Sequence, residues 1–213
     1  MSGKFEGGSP HLGHPSLDVK TLKAYSENAE SYSQDWLNQP EPTDMHQLIQ
    51  KYFSVGGETA DIGCGNGRDS NWLVQNGFKV TGFDASNDLI KLASGIYPLV
   101  KFEQAFLPAL SNVEKKFDNV LCETVIMHLS KAQITESIQS FKRILKAGGV
   151  LYLSWRVTES EDARHADGRL YSAFDSQFVV DQFSQRSILH FEDKISTSSG
   201  KRVCRLITKK ALE

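Results

Sequence analysis

The most chemically informative stretch of the chain is Asp61-Ile62-Gly63-Cys64-Gly65-Asn66-Gly67-Arg68-Asp69. Glycines at alternate positions let a backbone turn tightly, and they let a ligand approach atoms that a Cβ would block. Seventeen positions beyond Gly67 stands Asp84, a carboxylate able to accept hydrogen bonds from a ribose diol. A dinucleotide loop spaces its glycines GxGxxG so that pyrophosphate meets a helix N-terminus. Here the third glycine comes one residue early, and Arg68 holds the place that pattern gives to glycine. Asp61 would repel a pyrophosphate but suits an ammonium group. The expected ligand carries a ribose and a positive charge but no phosphate.

Other residues are candidates for the chemistry of a second ligand. His128, in Ile126-Met127-His128-Leu129, reads either as a general base or substrate contact, or as a histidine bridging a strand-to-helix loop. The stretch from Arg156 to Phe174 carries Arg156, Arg164, Arg169 and Tyr171, and its arginines can bind a carboxylate or phosphate; a solvated polar loop is the alternative. No metal site is expected. Cys64, Cys122 and Cys204 are widely spaced with no CxxC pair, and His11 and His14 lie in a polar tail.

The elements that must position these groups alternate between strand and helix. Helical spacing covers Leu17 to Leu37, broken by Pro40 and Pro42, and a second helix starts from the candidate cap Thr43 and stops by Gly56-Gly57. Glu58–Ile62 reads as a strand running into the glycine loop, followed by a helix from Arg68 to Asn76 that ends at Gly77. Phe78–Phe83 is a second strand, Ser86 caps a helix, and Leu99–Phe102 is a third, weak strand. Phe117–Cys122 is apolar enough to be buried on both faces. Ser130 and Gln133 form a capping-box pattern for a helix expected to stop at Gly148-Gly149, before a strand Val150–Trp155. Ser187–Ile195 and Arg202–Lys209 are joined by six residues, a link that permits only an antiparallel hairpin. The rest implies right-handed crossovers and a parallel sheet.

Four segments together resemble the class I methyltransferases, in particular their small-molecule branch. Asp61-x-Gly63-x-Gly65-x-Gly67 is similar to the family's first motif, and Gly82-Phe83-Asp84-Ala85-Ser86 to its ribose-binding strand end. Phe117-Asp118-Asn119-Val120-Leu121-Cys122 resembles the fourth-strand motif, and Leu145-Lys146-Ala147-Gly148-Gly149-Val150-Leu151 the approach to the fifth strand. The resemblance runs from about Tyr25 to Lys209. It implies an α/β fold: a Rossmann-like αβα sandwich on a mostly parallel seven-stranded sheet with an antiparallel terminal hairpin strand. It implies S-adenosyl-L-methionine as cofactor, with Asp61, Gly63, Cys64, Gly65 and Gly67 around the methionine end and Asp84 with Ala85 at the ribose. Gln104, Ala105 and Phe106 fall where relatives bind adenine, and Glu123 where contacts to the amino-acid end occur. Tyr25 and Tyr32 resemble the tyrosines of an N-terminal helix that closes over the cofactor, or they pack as aromatics under a helix. The run Asn/Asp-Pro-Pro-Tyr/Phe of base methylases is absent; Cys122-Glu123-Thr124-Val125 stands in its place.

Composition narrows the acceptor. With 213 residues the chain fits one domain: a disordered tail over residues 1–16, helices forming a cap over 17–57, and a catalytic domain over 58–213. A formal net charge of -2 argues against a nucleic-acid substrate, since neutralising phosphates dominates that affinity. No run is long and apolar enough to span a membrane, and the cysteine usage fits a reducing cytoplasm. The expectation is therefore in-line methyl transfer from the sulfonium to a small, anionic acceptor. A non-enzymatic cofactor-binding subunit, an RNA or protein methylase and a nicotinamide oxidoreductase are the rivals.

Overall fold

The computed structural model describes residues 18–158 and 161–212. The tail over residues 1–16, with His11 and His14, lies outside the described residues. Where one helix was expected from residue 17 to 37 there are two, α1 (Val19–Glu27) and α2 (Ala29–Asn38). Asn28 parts them: its side-chain amide donates to the Ala24 carbonyl at 2.9 Å, and its backbone leaves helical geometry at φ -116°, ψ 24°. Asp18 caps α1 by accepting from Lys20 N.

In α3 (Thr43–Tyr52), Thr43 is the first helical residue and Pro42 stands at the cap position without a side-chain bond, so the expected threonine cap does not form. Proline needs no N–H partner at a helix start. The helix lays Met45 and Ile49 into one core with Leu73, Leu121, Tyr152 and Ile207.

The chain then winds through β1 (Glu58–Ile62), α4 (Arg68–Gln75), β2 (Lys79–Asp84), α5 (Asn87–Ile96), β3 (Lys101–Gln104) and β4 (Phe117–Cys122). It continues through α6 (Lys131–Ile144), β5 (Leu145–Arg156), a small ribbon of β6 (Ala163–Arg164) with β7 (Leu170–Tyr171), and α7 (Ser176–Val180). The strands β8 (Ile188–Ile195) and β9 (Arg202–Lys209) close the chain. The sheet order is β3-β2-β1-β4-β5-β9-β8, seven strands with β1 to β5 parallel and β9 antiparallel to both neighbours.

Beyond one-residue shifts, as in α4, β2 and β8, two expected boundaries move. The third strand lies two residues later than expected, because its pairing with Thr81–Asp84 selects Lys101–Gln104. Helix α6 stops at Ile144, short of the glycine pair, because Leu145 already pairs with Phe117 and begins β5. The two sheet faces are both covered. Val120, Cys122, Leu151 and Leu153 face α6 and α7, while Leu121, Val150 and Tyr152 face α3 and α4. This alternation of burial is why β4 and β5 read as continuous apolar runs. Among the described residues no helix is long and apolar enough to cross a membrane.

Candidate functional site

The carboxyl ends of β1, β2, β4 and β5 open into one cavity, roofed by α1 and α2 through Leu22, Tyr25 and Trp36. One wall carries three carboxylates besides Asp69, which is paired with Arg68. Asp61 ends β1, is 3% exposed, and accepts from the Ser70 hydroxyl at 2.6 Å. Asp84 ends β2 and accepts from Gly65 N at 3.0 Å and Ser86 N at 2.8 Å, so it also pins the glycine loop. Glu123, just past β4, accepts from the Ser154 hydroxyl at 2.6 Å. None of the three forms an ion pair among the described residues.

Burying an unpaired carboxylate costs several kcal/mol, and the shifts report that cost. Burial pushes Asp61 up to about 7, the Ser70 bond opposing it and the neighbouring carboxylates adding to it. Burial raises Asp84 and Glu123 as well. A cationic ligand on this wall would remove the penalty, so the donor set fits a sulfonium and an ammonium and repels a phosphate.

The glycine loop serves two different ends. Gly63 has φ +75°, and a Cβ there would lie 2.3 Å from a Val125 methyl, so the cavity-side approach of β1 to the β4 loop requires glycine. Gly67 does not line the cavity. At φ +82° its Cβ would lie 2.5 Å from Phe102 Cζ, so this glycine lets the loop settle against β3 instead of admitting a ligand. Cys64, Gly65, Ala85 and Ala105 lie on the cavity wall as expected. Gln104 and Phe106 do not: the Gln104 amide donates to Ala85 O at 2.8 Å on the exposed side, and Phe106 is 43% exposed. Leu89 and Leu107 supply the apolar wall there, a role that depends on how α5 and the segment after β3 meet.

The opposite end of the cavity is built by the 3-10 turn Ile126–His128, the end of β5 and the β6–β7 ribbon. His128 Nδ1 lies 2.6 Å from Leu170 O, an acceptor only, so Nδ1 carries the proton and Nε2 accepts from the Tyr25 hydroxyl at 2.9 Å. Burial first, and the nearby Arg169 and Arg156 with it, push His128 down to about 4 despite the Leu170 bond. The imidazole is therefore neutral near pH 7. Burial raises Tyr25 to about 12, so its phenol is also neutral.

The arginines divide sharply. Arg169 lines the cavity but is held by Asp167, with Nε to Oδ2 at 2.9 Å, and its guanidinium lies over the rings of Tyr25, Tyr32 and Tyr171. Arg164 sits outside the cavity, 2.8 Å from Asp18. Tyr32 also stays outside: it stacks on Trp36 and donates to Asp167. Arg156 and Tyr171 remain on the wall. Trp36, Val125 and the turn residues Ser196, Ser198 and Ser199 also line it; their spacing in sequence carries no sign of the site.

Residues 60–149 match the family described as a methyltransferase domain. This segment is a methyltransferase domain. Its glycine loop, Asp84 and β4 all lie within the matched residues. The chain is 32% identical over 122 residues to a ribosomal protein L11 methyltransferase from Campylobacter concisus, covering 54% of this chain and 41% of that one. It is 26% identical over 156 residues to a ubiquinone biosynthesis O-methyltransferase from Coxiella burnetii, covering 67% and 64%. The chain thus spans less than two thirds of the length of these curated relatives. In fold it is similar to the 1,6-didemethyltoxoflavin-N1-methyltransferase of Burkholderia thailandensis, solved with 1,6-didemethyltoxoflavin and S-adenosylhomocysteine. That likeness has TM-score 0.71 at 15% identity, over 98% of this chain and 93% of that one. The matched segment and its flanking hairpin build one seven-stranded sheet.

Proposed function

We propose that this protein is an S-adenosylmethionine-dependent methyltransferase whose acceptor is a small molecule enclosed in the cavity. The carrying observation is the wall of buried Asp61 and half-buried Asp84 and Glu123, three carboxylates beside a glycine loop with no basic partner among the described residues. S-Adenosylmethionine supplies an electrophilic methyl group with a neutral leaving group.

The chain's part is to bind, orient and exclude water. Asp61 and Glu123 meet positive charge, and Asp84, fixed by two backbone N–H groups, presents its remaining lone pairs to a diol. Tyr25 and Trp36 close the cavity from above, which strengthens every electrostatic contact inside. Holding an acceptor at near-attack distance is worth up to roughly 7–11 kcal/mol of barrier in well-oriented systems, so positioning suffices for much of the rate. The neutral, doubly committed His128 supports orientation of Tyr25 in preference to proton abstraction.

A macromolecular acceptor fits less well, since Trp36 of the roof lies directly against Gly65 of the loop. The anionic character of the acceptor is developed below. We place the enzyme in the cytoplasm, in keeping with three buried free cysteines. Isothermal calorimetry with S-adenosylhomocysteine, repeated on Asp84→Ala, tests the cofactor; transfer of label from methyl-labelled cofactor across an acceptor panel tests the reaction. Absence of binding by folded wild-type protein would defeat the reading.

A further inference from the structure

The two ends of the cavity have opposite electrostatic character. One end holds the three unpaired carboxylates. Three arginines reach the cavity wall: Arg68, Arg156 and Arg169. Arg68 is committed to Asp69 and to the Trp36 carbonyl, and Arg169 to Asp167. The side chain of Arg156, the last residue of β5, has no ion pair or hydrogen bond among the described residues, and its Nε is buried without a partner. A guanidinium carries five N–H donors in a planar fork, and leaving the buried Nε–H unmet is costly.

The surfaces around Arg156 restrict what can meet it. Met127, Leu129 and the rings of Tyr25, His128 and Tyr171 line the same end of the cavity. Neither His128 nor Tyr25 offers a charge of its own near pH 7. Tyr171 keeps its place through a stacked contact with His165 at 4.2 Å and an edge contact with His128 at 4.8 Å. Among the described residues this end of the pocket therefore offers one uncommitted planar cation, Arg156, in a ring-lined space.

We infer that Arg156 is the specificity-determining residue for the acceptor, binding a single oxyanionic group on a small, apolar, ring-sized molecule. This deepens the proposed function and rests on it. The separation of charge also gives the two ligands a fixed direction: the cationic cofactor at the Asp61 end, the anionic acceptor at the Arg156 end. Arg164 and Arg169 take no part in anion binding, because each already neutralises an aspartate.

The test uses benzoate and phenyl phosphate as probes, with benzamide as the uncharged counterpart, titrated by calorimetry into full-length protein saturated with S-adenosylhomocysteine. At least one of the two anions should bind and benzamide should not. Arg156→Met should weaken the bound anion roughly tenfold or more, and Arg156→Lys should restore part of it. S-Adenosylhomocysteine affinity should be unchanged in both variants, which also shows that they are folded. Equal binding of benzamide, or anion binding indifferent to Arg156→Met, overturns the inference. A large loss of S-adenosylhomocysteine affinity in Arg156→Met also overturns it, by assigning the arginine to the cofactor's carboxylate. If neither anion binds the saturated wild type, the inference fails while the proposed function stands. If S-adenosylhomocysteine itself does not bind, the proposed function fails and takes the inference with it.

Discussion

Asp61 shows how one buried side chain sets the behaviour of the site. Its carboxyl is held at about 7, well above the ordinary 3.8, because burial and neighbouring carboxylates disfavour the ionised form. In the ligand-free protein this raised group contributes stability that is fully present below pH ~4 and is lost as pH rises through about 7. A cationic ligand selects the ionised form, so its affinity should rise as pH climbs from 5.5 toward 8, by up to about tenfold per unit below the pKa. Calorimetry in buffers of different ionisation heat should find about one proton released per ligand near pH 6. Affinity flat over that range would remove Asp61 from the ligand's contacts. His128 makes a contrasting prediction. Because it is hydrogen-bonded to Tyr25 and lies at the end proposed for the acceptor, His128→Ala should reduce turnover far more than S-adenosylhomocysteine affinity. Wild-type turnover in that variant would exclude it from the mechanism.

Elements are placed by caps and pairings whose strength can be measured separately from the site. The Ser130–Gln133 capping box starts α6, with Ser130 N donating to Gln133 Oε1 at 2.9 Å. Ser130→Ala should cost about 1 kcal/mol and lower Tm by roughly 2–4 °C, leaving cofactor affinity unchanged. A change in affinity would mean that α6 communicates with the cavity. The capping box was legible because its residues are local, and so were β1, β4 and β9, whose bounds agree with the sequence reading. The end of α6 was not legible. Gly148 looked like a helix stop, but the pairing of Leu145 with Phe117 and of Gly148 N with Lys210 O ends the helix earlier. Strand pairing across distant residues outweighed a local signal.

Across the whole molecule, two charge clusters join parts far apart in sequence. Arg205 on β9 is fully buried and binds Asp44 of α3 at 2.8 Å and Glu192 of β8 at 2.9 Å. Asp44 in turn accepts from Thr197 in the β8–β9 turn, so one cluster fastens α3, both terminal strands and the turn that borders the cavity. Arg205→Ala leaves Asp44 and Glu192 with their longer pairs to Lys194, at 3.9 and 3.7 Å, and should cost about 3–5 kcal/mol in urea unfolding. A loss under 1 kcal/mol would show the cluster to be incidental. Arg169 plays the matching part at the roof, tying the tyrosines of α1 and α2 to the β6–β7 ribbon. Arg169→Gln should therefore speed S-adenosylhomocysteine dissociation several-fold in stopped-flow measurements without lowering Tm appreciably. An unchanged dissociation rate would show that the roof opens elsewhere.

Read alone, the residues pointed to the parallel strands with their antiparallel hairpin, the glycine loop and Asp84, because short turns, periodic apolar runs and alternating glycines act within one strand–loop–helix unit. They also placed Asp61 at a strand end, Glu123 and Arg156 just past one, and His128 before a helix, close to where the cavity lies. Only the tertiary structure decided which candidates face it. Gly67 packs on Phe102, Gln104 and Phe106 point outward, and Arg164 and Arg169 are already paired. Orientation and charge compensation depend on partners more than a hundred residues away for Arg164 and Asp18, or Tyr25 and His128, and no local pattern encodes such a meeting.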